Sequence, residues 1–167
     1  MSTQLHPKLL VADADKAIAF YTQALGATLN HRAAEDDGVV NHAELAVDSI
    51  VFALAEKVPE WGWVDPGALG GSPVLLMLTV PDPDATAERM VRHGAELVIP
   101  VEDRPYGMRQ GRVKDPFGHL WVISGELGWQ DRPTPDTRHP TPDTRPLTCD
   151  PTRRPLKPLP GVAPAVP

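Results

Sequence analysis

An internal duplication is the feature that most constrains how this chain can fold. The segment VADADKAIAFYTQALGATL begins at Val11, and the similar segment VPDPDATAERMVRHGAELV begins at Val80. Their offset is 69 residues at the first aspartates, Asp13 and Asp82, and 68 residues at the glycine of the later Gly-Ala pair. A repeat at this spacing indicates that one supersecondary unit occurs twice in the chain.

Each copy predicts a helix between strands. Asp13 and Asp82 suit helix N-caps, because a short carboxylate accepts hydrogen bonds from the free amides of a first helical turn. Gly26 suits the left-handed end of the first helix. An apolar strand after the Gly26-Ala27 pair, then the strands VNHAELAV and SIVFALA, follow that helix. The strands AELVIPVE, RQGRVK and HLWVIS follow the second helix, with DPFG as a type I turn before HLWVIS. Each unit therefore reads as a strand, a helix and three strands.

This order of elements predicts the fold class. Consecutive antiparallel strands after one crossover helix form a curved sheet with the helix on one face. We therefore predict an α+β fold in which two βαβββ units form curved mixed sheets around a concave pocket. The expected bounds are 4–57 for the first unit, 58–71 for the linker and 72–126 for the second unit, within a domain at 1–128.

The remaining residues, 129–167, differ in composition. They hold 11 of the 20 prolines, and PTPDTR occurs there twice, at 133–138 and at 140–145. Because proline removes a backbone donor and favours extended conformations, we expect a flexible, Pro-rich tail. One hypothesis is that this tail engages a partner protein.

Charge and cysteine content narrow the functional classes. Residues 1–128 carry 10 Lys and Arg against 18 Asp and Glu, and such an acidic body argues against nucleic acid as a partner. The sequence has no long apolar run and no signal-peptide pattern, so we expect neither a membrane span nor export. The single cysteine, Cys149, excludes a disulfide framework and favours a cytoplasmic protein.

Alternation along the strands predicts which side chains face the pocket. In VNHAELAV, Ala43, Leu45 and Val47 are assigned to the helix-covered face, so His42 and Glu44 point into the pocket. The same reasoning gives the whole inward set: His6, Lys8, His42, Glu44, Leu75, Met77, Gln110, Arg112, Leu120 and Val122. The outward set, expected to pack under the helices, is Leu76, Leu78, Trp121 and Ile123.

Aromatic residues in loops are further candidates for ligand binding. Trp61 and Trp63 lie in the Gly- and Pro-rich linker, outside any periodic pattern, and an exposed tryptophan leaves a large apolar area in water. Ligand stacking is one interpretation, and a plug on the core or a dimer contact is the other. Tyr106 and Met108, in the hairpin before GRV, are candidates for the rim of the pocket.

The duplication, the order of elements and DPFGH with its following strand resemble the vicinal oxygen chelate superfamily of glyoxalases, extradiol dioxygenases and bleomycin-resistance proteins. HAEL in the third strand and YG…GRV.DPFGH.W near the end look most like its metal-free, antibiotic-binding branch of the bleomycin-resistance type. The resemblance covers about residues 4 to 126. It implies the fold more specifically than the function, because this fold hosts both enzymes and pure binders.

The resemblance also implies where a metal would be held. Enzymes of that superfamily bind a divalent metal with four side chains, and the matching positions here are His6, Ala53, Leu75 and Val122. Apart from His6, these residues are apolar or too small to act as ligands, whereas a catalytic divalent ion generally needs at least three protein donors. We therefore expect no metal and no other cofactor.

A displaced metal site is the alternative that alternation leaves open. His6, His42 and Glu44 would form a His-His-Glu set on neighbouring strands, which is acceptable to zinc, iron or nickel. The other interpretation is that His42 and Glu44 pair with basic groups such as Arg112 or Lys8, since a partly buried carboxylate needs a partner.

These observations favour metal-independent binding and sequestration of an apolar or aromatic, drug-like natural product, as in antibiotic resistance or self-protection. The resemblance implies a homodimer with its sites between chains. We assign no catalytic residue, because the sequence shows no Ser-His-Asp order, no phosphate-binding loop and no paired cysteines. The alternative is an enzyme of the glyoxalase type, a metal-dependent lyase, isomerase or dioxygenase for a small oxygenated substrate, or metal-free acid-base chemistry by His42 or Glu44.

Overall fold

The computed structural model describes residues 3–127, so the predictions for the tail at 129–167 lie outside the described residues. The elements in chain order are β1 (Lys8–Val11), α1 (Ala14–Leu25), β2 (Thr28–Ala34), β3 (Val40–Val47), β4 (Ile50–Glu56), a 3-10 turn (Pro59–Trp61), α2 (Pro66–Leu69), β5 (Leu75–Thr79), α3 (Pro83–Arg92), β6 (Glu96–Arg104), β7 (Met108–Lys114) and β8 (Leu120–Glu126). The predicted βαβββ unit therefore occurs twice, and the α+β fold class is confirmed.

The strands form two mixed sheets of four strands each. Sheet one has the order β1-β4-β3-β2, and sheet two has the order β5-β8-β7-β6. In each sheet the first and last strands of the unit pair in parallel, and the other neighbours are antiparallel. This follows from the topology, because the strands of a three-stranded meander alternate in direction and its last strand then runs with the strand before the helix.

The helix termini have the caps that the sequence predicts. The Asp13 carboxylate accepts a hydrogen bond from the amide of Lys16 (3.0 Å), and the Asp82 carboxylate accepts one from the amide of Ala85 (2.9 Å). Gly26 ends α1 with a φ of 71°, a left-handed conformation that costs a residue with a Cβ atom more than it costs glycine. Both N-cap predictions and the glycine C-cap are confirmed.

One hydrophobic core joins the two units on the helix side of both sheets. The ring of Tyr21 on α1 lies 5.3 Å from that of Phe52 in sheet one and 5.8 Å from that of Trp121 in sheet two. Trp121 is only 6% exposed, as expected for a core residue. Because one side chain contacts both sheets, the units are not independent folding bodies.

A buried aspartate anchors this shared core. Asp115, the first residue of the DPFG turn, accepts hydrogen bonds from the Tyr21 hydroxyl (2.6 Å) and the Trp121 indole (2.9 Å). Its other carboxylate oxygen accepts from the backbone amides of Phe117 and His119, and Gly118 closes the predicted turn on the Asp115 carbonyl. Burial, with the neighbouring Asp115 carboxylate, raises the pKa of Tyr21 well above its usual value, so its hydroxyl stays protonated and donates.

The linker between the units is largely structured. Val58 and Trp63 form a β-bridge around the 3-10 turn, and Asp65 caps α2 by accepting from the amide of Ala68. The Asp65 carboxylate also pairs with Lys57 (2.8 Å). Within residues 3–127, no helix is long and apolar enough to cross a membrane. The division of the chain at residue 128 stays a prediction.

Candidate ligand-binding site

The face of sheet one that lies opposite the helices carries polar side chains. On β3, Ala43 and Leu45 are fully buried, whereas the alternate residues His42 and Glu44 are half-buried. The predicted alternation of this strand is therefore confirmed. Across the sheet, four residues share one register row, which we call row one: Lys8, Ala53, Glu44 and His31.

The polar groups of this face contact one another locally. Glu44 accepts a hydrogen bond from the side-chain amide of Asn30 (3.2 Å), and the rings of His31 and His42 lie 5.9 Å apart. Lys8 donates to the carbonyl oxygen of Asn41 (3.1 Å). The suggested pairing of His42 or Glu44 with Lys8 or Arg112 is not found among the described residues 3–127. Lys8 instead donates to a backbone carbonyl, and Glu44 accepts from the side-chain amide of Asn30.

The equivalent face of sheet two is mainly apolar. Its register row, which we call row two, consists of Met77, Val122, Arg112 and Ile99. Met77 is 68% exposed and Leu75, two residues earlier on β5, is 45% exposed, whereas Val122, which pairs with Met77 from β8, is 4% exposed. Val122 therefore belongs to the floor, while Leu75 and Met77 present apolar surface to the solvent.

The loop aromatics lie at different places. Trp63 is half-buried, and the ammonium of Lys8 lies 5.2 Å from the centre of its ring, within the range of a cation-π contact. The Trp61 ring packs edge-on against that of Trp63 at 5.5 Å but is itself 68% exposed. Trp63 thus borders row one, and Trp61 is available to a ligand or to another chain.

A pocket lies on sheet two beside the β6–β7 hairpin. It has a volume of about 260 Å³ and is lined by Ile99, Arg104, Tyr106, Gln110, Gly111 and Arg112. Tyr106 is exposed and its hydroxyl donates to the side-chain oxygen of Gln110 (2.8 Å). Met108 begins β7 and is half-buried. Tyr106 and Arg112 therefore line the same pocket, which is local to the β6–β7 hairpin, and a role for Tyr106 at the rim of a larger ligand pocket stays a prediction.

The structure does not gather all twelve predicted residues around one cavity. Lys8, His42 and Glu44 lie on sheet one, while Leu75, Met77, Arg112 and Val122 lie on sheet two. His6 precedes β1 and is exposed, so it does not belong to a strand of the sheet. Alternation along VNHAELAV did not lead to His31 and Asn30, because both lie on the neighbouring strand β2, which carries a register shift between Leu29 and His31.

Comparison with known proteins identifies the family. The model of the Glyoxalase/Bleomycin resistance protein/Dioxygenase superfamily matches residues 3–123. The chain belongs to this superfamily. An uncharacterized protein of Mycobacterium bovis is 41% identical over 122 residues, which are 71% of this chain and 80% of that protein.

Solved structures agree with this assignment of the fold. The crystal structure of TioX from Micromonospora sp. ML1 is 25% identical, with a TM-score of 0.57 over 75% of this chain and 98% of TioX. The fosfomycin resistance protein FosX from Mesorhizobium loti is 16% identical, with a TM-score of 0.54 over 77% of this chain and 93% of FosX, a likeness of fold alone. Members of the superfamily are typically dimers that bind small molecules.

The residues at the superfamily's metal-ligand positions cannot hold a metal ion in this chain. The register places Lys8, not His6, beside Ala53, and Met77, not Leu75, beside Val122. None of these four side chains is a suitable ligand for a divalent cation at neutral pH. Among the residues from 3 to 127, no group of three or more His, Cys, Asp or Glu is placed to hold a metal ion, so the alternative set of His6, His42 and Glu44 is not assembled.

Proposed function

We propose that this chain binds and sequesters an apolar or aromatic, drug-like natural product without a bound metal, and so protects its host. The observation that carries the proposal is the exposed apolar pair Leu75 and Met77 on sheet two, with the buried Val122 next to Met77 on the neighbouring strand. Apolar side chains that stand together in water gain free energy when another apolar surface covers them. A ligand with an apolar body is such a surface.

Exposed aromatic rings support an aromatic ligand in particular. Trp61 and Tyr106 each leave about two thirds of their area in solvent, and such rings stack on planar ligands. FosX, a structural neighbour with this fold, is by its name a resistance protein, but the argument for this chain rests on its own sheet faces. We place the protein in the cytoplasm because Cys149 is its only cysteine.

We also propose that the functional form is a homodimer with its sites between chains. Within residues 3–127, rows one and two lie on separate sheets. On this proposal, each row would contact a ligand from one side only. A face from a second copy would enclose the ligand and cover Met77. Light scattering tests this: a dimer mass is expected, and a monomer that binds ligand at full affinity would contradict the between-chain site.

The neutral fluorescent probe N-phenyl-1-naphthylamine tests the proposed function, because it is apolar, aromatic and free of metal-binding acids. We expect saturable binding with a fixed stoichiometry per chain, displacement by some members of a panel of aromatic natural products, and no change in affinity after exhaustive treatment with EDTA. Absence of saturable binding would contradict the proposal, as would binding that EDTA abolishes and a divalent metal restores.

An enzymatic role is the second candidate, because His31 and His42 lie close together beside Glu44. Such a cluster can move a proton to or from a small oxygenated substrate without a metal. Turnover of a screened substrate that Glu44→Gln abolishes, while binding persists, would favour a lyase or isomerase of the glyoxalase type over a binding protein.

A further inference from the structure

The pocket beside the β6–β7 hairpin combines charge with apolar surface. Its polar lining comes from the guanidinium groups of Arg104 and Arg112, the phenol of Tyr106 and the amide of Gln110. In register, Arg112 is flanked by Ile99 on β6 and Val122 on β8, both apolar. The pocket is therefore a cationic end to the apolar face of sheet two.

Arg112 differs from the neighbouring arginines in having no partner. Arg109 pairs with Asp84 and Asp103, and Arg104 lies 3.6 Å from Glu102. The guanidinium of Arg112 makes neither an ion pair nor a hydrogen bond with any residue of the described range 3–127. A guanidinium presents several donors in a planar fork that matches the two oxygens of an oxyanion.

The other polar groups leave donors free at the same place. Tyr106 donates its hydroxyl proton to the side-chain oxygen of Gln110, which leaves the side-chain NH2 of Gln110 without a partner in the described range. Arg104 donates to the backbone carbonyl of Gln110 (3.2 Å), so the hairpin itself holds this arginine at the pocket. The pocket thus offers a second guanidinium, partly neutralised by Glu102, and an amide donor beside Arg112.

We propose that this pocket binds an anionic group of the ligand, a carboxylate, sulfonate or phosphate, while Leu75, Met77 and Val122 contact its apolar body. Met77 and Arg112 lie two strand spacings apart in row two, about 10 Å, which one fused-ring aromatic system spans. The ligand class is then an amphipathic aromatic acid. This inference rests on the proposed function and specifies the chemistry of its ligand.

Two probes with one aromatic skeleton test the inference. 8-Anilinonaphthalene-1-sulfonate carries a sulfonate, and N-phenyl-1-naphthylamine is the same skeleton without it. For the full chain at low salt, we expect the sulfonate to bind about tenfold more tightly than the neutral probe, since a charge-assisted hydrogen bond to an exposed arginine is worth about a factor of ten. Arg112→Gln should remove that advantage and leave binding of the neutral probe within about twofold.

Two further variants make the result specific. Arg92→Gln is the matched control, because Arg92 is exposed on α3, outside this pocket. Its substitution changes the net charge by the same amount. It should leave both probes unchanged. Arg104→Gln should cost the sulfonate a smaller factor of about three, because Glu102 already neutralises part of that charge. It also provides a second test should Arg112→Gln lower the melting temperature.

The outcomes separate this inference from the proposed function. Loss of the sulfonate advantage in Arg112→Gln but not in Arg92→Gln supports the anion pocket. Equal affinities of the two probes for the wild-type protein, or a sulfonate advantage that survives Arg112→Gln and Arg104→Gln, overturns the anion pocket while leaving the apolar site intact. Failure of both probes to bind overturns the proposed function itself, and the anion pocket with it.

Discussion

Rows one and two occupy equivalent backbone positions but differ in chemistry. The offsets of 68 and 69 residues that relate the two units also relate the rows, so Lys8 corresponds to Met77 and Glu44 to Arg112. Sheet one presents a lysine, a carboxylate and histidines, whereas sheet two presents methionine, valine and isoleucine around one arginine. The duplicated unit therefore supplies the same scaffold twice, and the open faces of its sheets are free to diverge.

The helix sides of the same sheets did not diverge in this way. Tyr21, Phe52 and Trp121 make one core across both units, and Asp115 satisfies the polar atoms of two of them. A buried donor that loses its acceptor costs the desolvation of that group, so this side tolerates little change. The contrast indicates that the helix side stabilises the fold, and it agrees with our proposal that the open faces bind the ligand.

The largest effect that we expect is on the shared core. Asp115→Ala leaves the Tyr21 hydroxyl and the Trp121 indole without their acceptor, and we expect the free energy of unfolding to fall by about 3 kcal/mol. Urea denaturation followed by circular dichroism measures it. Asp36→Ala, in the exposed turn between β2 and β3, is the control and should change the free energy of unfolding by less than about 0.5 kcal/mol. Equal losses of unfolding free energy in the two variants would contradict the assignment of Asp115 as the residue that anchors the core.

The second-largest effect is expected on ligand affinity when corresponding residues of the two rows are exchanged. Met77→Lys gives sheet two the residue that sheet one has, and it should weaken binding of N-phenyl-1-naphthylamine by about 2 kcal/mol, the value of covering a methionine side chain. The reverse change, Lys8→Met, should not weaken it. Fluorescence titration of both variants decides which sheet binds the apolar body. A larger loss in Lys8→Met than in Met77→Lys would assign the ligand to sheet one.

A smaller effect is expected at the tryptophans of the linker. Trp61→Ala removes an exposed ring and should weaken binding of the same probe by about 1 kcal/mol, with little change in the melting temperature. Trp63→Ala also removes the contact with Lys8, so we expect it to lower the melting temperature as well. If titration shows unchanged affinity in both variants, these rings do not bind the ligand and instead make a dimer contact or stabilise the fold.

The smallest effect concerns the linker in acid. The hydrogen bond from Lys57, then that from the amide of Ala68, holds the pKa of Asp65 below its usual value. Since the folded pKa is depressed, this stabilisation is present above the ordinary pKa of about 4 and is lost as the pH falls through the folded value. Asp65→Asn should therefore lower stability at pH 7 by less than about 1 kcal/mol, because Lys57 is partly exposed and solvent screens it.

Thermal unfolding from pH 7 to pH 2 measures this difference. The gap between Asp65→Asn and the wild-type protein should narrow as the pH falls below about 4. Glu60→Gln, in the exposed 3-10 turn of the same linker, is the control and should follow the wild-type protein throughout. A gap that widens in acid would contradict the assigned direction of the shift.

Local patterns in the sequence were sufficient for most of the fold. The caps at Asp13 and Asp82 and the DPFG turn act over a few residues, and the duplication shows that the same unit occurs twice. Alternation in VNHAELAV correctly separated Glu44 from Leu45. The contact between Tyr21 and Asp115 spans 94 residues, and no local pattern encodes it. The sequence around Tyr21 shows only apolar residues at helical spacing, which indicate a buried helix face but name no partner for its hydroxyl.

The candidate site was less predictable, because it depends on which strands are neighbours and where a strand begins. Alternation placed Met77 and Arg112 on one face, but the row that joins them became visible only in the cross-strand register. The position of β1, which begins at Lys8, leaves His6 outside the sheet. The register shift in β2 similarly brought Asn30 to Glu44, a contact that strict alternation does not predict.

The metal content per chain, with binding measured on the same sample, tests the central claim most directly. Protein purified without chelators or a histidine tag is analysed for transition metals, and N-phenyl-1-naphthylamine is then titrated into it. We predict far less than one metal ion per chain together with saturable binding. A near-stoichiometric transition metal, lost together with ligand binding on dialysis against EDTA, would contradict the account.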